Sequence, residues 1–162
     1  MHSTWNCSTI QFDLVQSDSL KSPTVFRDSF GTAVGIVDSI ALVSGNNTFA
    51  SNCKIFSGGC PYPSECICNG GGIYVEGSNV TFHGNNTFLG NSATHGGGVF
   101  AWHSDVQFSG SGTFRDNMAS IYGGGIFLHS SNMIITDSSD ITVENNMAQY
   151  GGVIILGHSN SI

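Results

Sequence analysis

Gly70-Gly71-Gly72-Ile73-Tyr74-Val75 returns as Gly96-Gly97-Gly98-Val99-Phe100-Ala101, then as Gly123-Gly124-Gly125-Ile126-Phe127-Leu128, and last as Gly151-Gly152-Val153-Ile154-Ile155. With the final glycine of each copy taken as equivalent, the spacings are 26, 27 and 27 residues. A second segment recurs between them as Val80-Thr81-Phe82, Val106-Gln107-Phe108 and Met133-Ile134-Ile135. A third places Thr87-Phe88, Thr113-Phe114 and Thr142-Val143 ahead of Asn91, Asn117 and Asn146. Each period holds three short segments rich in β-branched and aromatic residues, separated by Gly, Asn, Ser or Asp, which is the chemistry of strands and turns. Looser copies lie upstream, in Ala41-Leu42-Val43 before Asn47-Thr48-Phe49 and, as an earlier copy still, in Ile10-Gln11-Phe12.

A period of this length built from strands predicts a parallel β-helix, about 26–27 residues and three short strands per turn, with equivalent residues stacked in columns. Alternation then assigns Ile73, Val99, Ile126 and Val153 to one inward column, and Val75, Ala101, Leu128 and Ile155 to another. Asn91, Asn117 and Asn146 read as a structural amide ladder at one corner. Gly72, Gly98, Gly125 and Gly152 read as the tight position of another, because no Lys-Ser/Thr follows them to make a phosphate loop.

Composition agrees. Gly, Ser and Asn supply 59 of the 162 residues, which disfavours helices, while 11 Phe and a 40% hydrophobic share disfavour disorder. Four basic residues stand against 11 acidic, for a net charge of −7, and the basic ones are scattered, so nucleic acid is not an expected partner. No apolar run approaches the roughly 20 residues of a transmembrane helix. The domain reading is an N-terminal cap or degenerate turn over 1–32 and β-helix repeats over 33–162, interrupted by a Cys-rich insertion at 53–69. The start carries neither a basic nor an apolar leader, and Val153-Ile154-Ile155-Leu156 opens a fresh turn near the end. The expectation is therefore that further turns of the same solenoid are missing.

The alternation of Gly-Gly-x-Ile/Val with Phe-x-x-Asn resembles the polymorphic outer-membrane protein (Pmp) repeat of bacterial surface proteins and some eukaryotic β-helix proteins. The motifs are Phe88-Leu89-Gly90-Asn91 before Gly97-Gly98-Val99, and Phe114-Arg115-Asp116-Asn117 before Gly124-Gly125-Ile126. The resemblance spans about Ala33 to Ile162, with Val143 in place of Phe in the last copy. It implies a right-handed β-helix displayed outside the cell and, for the bacterial members, adhesion.

Compartment can also be read from cysteines and sequons. Cys53, Cys60, Cys66 and Cys68 fall in the insertion, with Cys7 left over. Two disulfides of unassigned pairing are favoured over a zinc site, because the usual C-x₂₋₄-C pairs are absent. Asn6, Asn46, Asn79 and Asn85 each open an Asn-x-Ser/Thr sequon and are candidate glycosylation sites. Both features favour an extracellular or cell-surface setting.

No catalytic set, metal site or cofactor emerges. Asp105, Asp116, Asp137, Asp140 and Glu144 read as turn residues, and Arg115 is the only basic side chain of the regular repeats. His83, His95, His103, His129 and His158 share no single column, although His103 and His129 fall on adjacent turns. The outward side of the first strand is more informative. Tyr74, Phe100, Trp102 and Phe127 are the candidate ligand-binding residues of an exposed aromatic stripe, suited to carbohydrate or to another surface protein. The function expected is structural, adhesive or recognition without catalysis. The alternative is a polysaccharide lyase or glycoside hydrolase of the pectin-lyase-like β-helix type.

Overall fold

A computed structural model describes residues 10–13, 18–21, 24–27, 33–53, 68–136 and 139–157. Short strands follow one another as β1 (Ile10–Asp13), β2 (Asp18–Lys21), β3 (Thr24–Arg27), β4 (Val34–Val37), β5 (Ile40–Ser44), β6 (Asn47–Ala50), β7 (Ile73–Glu76), β8 (Asn79–His83) and β9 (Asn86–Leu89). They continue as β10 (Ser92–His95), β11 (Val99–Trp102), β12 (Asp105–Phe108), β13 (Gly112–Arg115), β14 (Met118–Tyr122), β15 (Ile126–His129), β16 (Asn132–Ile135), β17 (Ile141–Glu144) and β18 (Ile154–Gly157). Every third or fourth strand pairs in parallel with its equivalent one turn away, which is a parallel β-helix. Three walls result: a six-stranded sheet β1-β4-β7-β11-β15-β18, and two five-stranded sheets, β2-β5-β8-β12-β16 and β3-β6-β9-β13-β17.

Alternation within strands of four or five residues fills the lumen. Ile73, Val99 and Ile126, with Val75, Ala101 and Leu128, pack from the first wall; Val80, Val106, Met133, Phe82 and Phe108 from the second; Phe49, Phe88 and Phe114 from the third. Register makes the aromatic rings stack, at centroid distances of 4.9 Å for Phe49–Phe88, 4.6 Å for Phe88–Phe114 and 4.7 Å for Phe82–Phe108. The two stacks meet edge to face, Phe82 on Phe88 and Phe108 on Phe114.

Corners need another device, because there one backbone N–H per turn is met by a side chain and not by a carbonyl of the next turn. The N–H groups on either side keep the backbone ladder, as in Ser51 to Leu89 and Ser92 to Asn52. At one corner each chain reversal is made by a left-handed residue, Ser51, Gly90, Asp116 or Asn145, and the next residue is Asn52, Asn91, Asn117 or Asn146. The backbone N–H of each of the first three asparagines donates to the side-chain oxygen of the asparagine one turn on, at 3.1, 3.0 and 3.0 Å. Its amide Nδ2 donates to the same oxygen at 3.0, 3.0 and 2.8 Å. A second ladder, not foreseen in the sequence, runs through Ser39, Ser78, Ser104 and Ser131. Each of the first three backbone N–H groups donates to the next serine Oγ, at 2.9, 3.1 and 3.0 Å. Here the preceding left-handed residues are Asp38, Gly77, His103 and Ser130.

Beside the three walls, β10 and β14 pair with each other over Ser92↔Met118 and Ala93↔Ala119. Within residues 1–32, β1, β2 and β3 supply one strand to each wall. Two expectations are corrected. Ile10 pairs with Val34 and so belongs to the first wall; the upstream copy of the Val80 segment is Asp18–Lys21. Finally, Ile154, not Val153, lies beside Ile126, so Ile155 and Leu156 each shift one column from their expected places. Val153 is the equivalent of Gly125: its carbonyl accepts from the N–H groups of Gly125 and Ile126 as the Gly125 carbonyl does from Gly98 and Val99. Gly152 accordingly aligns with Gly124 rather than with Gly125. A Cβ at Gly125 would meet the Val153 carbonyl at 2.7 Å, whereas Val153 has no described turn stacked on it and is 46% exposed.

Candidate functional site

Outward positions of the first wall carry the aromatic column. Tyr74, Phe100 and Phe127 are neighbours in register, with ring centroids 5.3 and 5.5 Å apart. The next outward column holds Glu76, Trp102 and His129. Trp102 stacks on His129 at 4.1 Å, and His103 stands edge-on to the indole at 5.4 Å. Left-handed Gly96 and Gly123 turn the chain from β10 into β11 and from β14 into β15. His95 thereby reaches the rings of Tyr122 at 5.6 Å and Phe127 at 5.7 Å, and Tyr122 those of Phe127 at 5.7 Å and Tyr150 at 5.3 Å.

These contacts change the expected stripe. Phe100 and Phe127 point away from the lumen but are only 4% and 7% exposed, so they form the floor of an aromatic plaque, not its surface. Trp102, Tyr122 and Tyr150 are its exposed members, and Tyr74 is half-buried. Self-stacking occupies both faces of Phe100, between Tyr74 and Phe127. The flanking set His95, Tyr122 and Tyr150 was missed, although its signal was present: each immediately precedes the first glycine of its repeat.

The plaque has a distinct electrostatic character. The Tyr74 hydroxyl donates to Glu76 Oε2 at 2.5 Å. Burial first, then that carboxylate, hold the phenol well above its usual range. His95 Nδ1 lies 2.8 Å from Asn69 Oδ1, an acceptor, which places the proton on Nδ1. Burial among its aromatic neighbours pushes the His95 imidazole below its ordinary value, favouring the neutral ring.

Other candidates fall in different places. Cys53 and Cys68 are joined as a disulfide with Cα atoms 6.5 Å apart, closing the insertion where it leaves and rejoins the stack. Cys7, Cys60 and Cys66 lie outside the described residues, as do Asn6, Asp137 and His158. Asn46, Asn79 and Asn85 are exposed. Asp105 accepts from Asn132 Nδ2 at 2.8 Å, and Glu144 pairs with Arg115 at 3.0 Å. Asp116 supplies a left-handed corner. The His103 and His129 rings are 6.4 Å apart, and among the described residues no group of three or more His, Cys, Asp or Glu is placed to hold a metal ion. Among the described residues no helix is long and apolar enough to cross a membrane.

No family model, curated protein or solved structure matches the chain. The geometry of the plaque and the columns therefore carries the functional reading alone.

Proposed function

We propose that this chain is a non-catalytic, extracellular or cell-surface β-helix of the Pmp-repeat type, whose role is structural, adhesive or recognition. The observation that carries the reading is the plaque. Trp102, held on His129 and flanked by His103, sits with Tyr122 and Tyr150 at the exposed margin of a floor of buried rings. The floor is built on parallel strands paired residue for residue, so the exposed groups are pre-positioned and lose little conformational freedom on contact. Trp and Tyr are the residue types that most often dominate the energy of protein interfaces. Phe100 is stacked between Tyr74 and Phe127, whereas Tyr150 meets the single ring of Tyr122, so the exposed rings suit carbohydrate or another surface protein as the partner.

The test is to immobilise the oxidised chain and score retention of purified cell-surface proteins and of acidic and neutral polysaccharides, with polysaccharide shortening followed by size. Retention without shortening, lost in Trp102→Ser/Tyr122→Ser while the far-UV β signal persists, supports recognition by the plaque. Polysaccharide shortening abolished by one carboxylate substitution overturns it in favour of the lyase or hydrolase alternative.

A further inference from the structure

Sheet β2-β5-β8-β12-β16 exposes two large aliphatic side chains side by side on one strand: Ile40, 65% exposed, and Leu42, 41% exposed, both on β5. Isolated apolar side chains at a surface are ordinary, but a contiguous pair on an open sheet face leaves apolar area that something polar on its other side can cover. One turn further on, the residues in register with Ile40 and Leu42 are Asn79 and Thr81. These are the first and third residues of the sequon Asn79-Val80-Thr81. Strand alternation sends Val80 into the lumen and leaves Asn79 and Thr81 on the outer face. Asn79 is exposed, and among the described residues its side-chain amide has no hydrogen-bond partner. On the opposite side of Asn79 and Thr81 lie Asp105 and Gln107, which are polar. The apolar ground therefore lies on one side of the sequon only.

The other described sequons lack this setting. Asn85 is exposed at the corner between β8 and β9, and Asn46 occupies the same corner one turn earlier. Their column continues through Ser111, so no aliphatic pair lies beneath them.

We propose that Asn79 is an N-glycosylation site whose proximal N-acetylglucosamine units lie over Ile40 and Leu42. The C–H-rich face of the sugar removes the two side chains from water while its hydroxyl and acetamido groups stay solvated, a division of faces that matches the sheet surface. The modification forms a bond between the Asn79 amide nitrogen and the anomeric carbon of the sugar as the bond from that carbon to the lipid-linked diphosphate of the donor oligosaccharide breaks. The diphosphate leaves and one amide proton is released to a base of the transferring enzyme. This inference rests on the extracellular reading given above, because the modification requires passage through a glycosylating secretory pathway. A glycan there would cover the second wall and leave the aromatic plaque on the first wall open.

The experiment is secretion of the full chain from a eukaryotic host, with site occupancy measured by mass spectrometry after enzymatic deglycosylation in heavy-oxygen water. Melting curves are then compared for the glycosylated chain, the deglycosylated chain, Asn79→Gln, and Ile40→Ser/Leu42→Ser with and without its glycan. The expected result is occupancy at Asn79 and a melting temperature lower by about 2–4 °C on glycan loss in the wild type, a shift absent in Ile40→Ser/Leu42→Ser. Occupancy at Asn79 with no shift in the wild type, or an equal shift in both backgrounds, overturns the covering role and leaves the extracellular reading standing. Occupancy at Asn85 or Asn46 with Asn79 bare overturns the site. Secretory retention with every sequon bare counts against the extracellular reading and the site together.

Discussion

Asn117 accepts two hydrogen bonds from Asn91 at one side-chain oxygen, from the backbone N–H and from the amide Nδ2, both at 3.0 Å. The Asn117 amide then donates to the Phe88 carbonyl at 2.9 Å and to Asn146 Oδ1 at 2.8 Å. One side chain thus satisfies groups on both neighbouring turns, with Asn91 and Asn117 fully buried. Asn117→Ala orphans several buried donors and acceptors at once, and is expected to cost about 3–5 kcal/mol in urea unfolding. Asn146→Ala, at the half-buried end of the ladder, should cost less than half of that.

Two glycines should fail for different reasons. A Cβ at Gly97 would meet the Gly124 carbonyl at 2.3 Å and the Met118 backbone at 2.7 Å, with no flexible atom to yield. Gly90 has open space but a φ of +60°. Gly97→Ala should therefore prevent cooperative folding or cost more than about 4 kcal/mol, while Gly90→Ala costs about 1 kcal/mol. Thermal melts of the two purified variants separate steric exclusion from backbone strain.

The Cys53–Cys68 bond spans a sequence separation of 15. A loop of that size closed in the unfolded chain is worth about 3 kcal/mol. Cys53→Ser/Cys68→Ser is expected to lower the urea midpoint accordingly, and to make the midpoint insensitive to any reductant effect that acts through this bond.

His95 gives the fold an acid-sensitive component. Its imidazole is pushed below the ordinary value of 6.5 by burial, so the unfolded chain takes up the proton first as pH falls. The stabilisation it contributes is complete above pH 6.5, is lost as pH drops through that value, and stops changing once the folded His95 also protonates. Urea midpoints at pH 7.5 and 5.5 should differ more in the wild type than in His95→Gln; equal differences would show that other groups carry the dependence.

Much of this architecture was legible because stacked turns demand equivalent residues at equivalent places. Phe82/Phe108, Phe88/Phe114 and the asparagine column could be read from spacing alone, since each repeats a residue type. The serine ladder repeats as plainly, yet Ser39, Ser78, Ser104 and Ser131 sit among many other serines, and only geometry separates a ladder serine from a turn serine. Val153 was misplaced because a two-glycine copy aligns equally well from either end, and the next-turn carbonyl that crowds Gly125 is invisible in sequence. The plaque was half legible. Alternation found Tyr74, Phe100, Trp102 and Phe127, but burial of the two phenylalanines depends on how far Gly96 and Gly123 turn the chain, which no periodicity reports.

Everything above rests on equivalent residues of successive turns, 26 to 29 positions apart in the regular repeats and 39 across the insertion, being next neighbours across one strand spacing. Paired cysteine substitutions measure this directly, using the outward Thr87, Thr113 and Thr142 of β9, β13 and β17, which are in register. Adjacent parallel strands lie about 4.8 Å apart, inside the Cα range of a disulfide, whereas a two-turn separation lies outside it. Thr87→Cys/Thr113→Cys and Thr113→Cys/Thr142→Cys should each form an intramolecular crosslink under mild oxidation, mapped by peptide mass, and Thr87→Cys/Thr142→Cys should not. Absence of the first two crosslinks in folded protein, or efficient formation of the third, would contradict the stacked-column account.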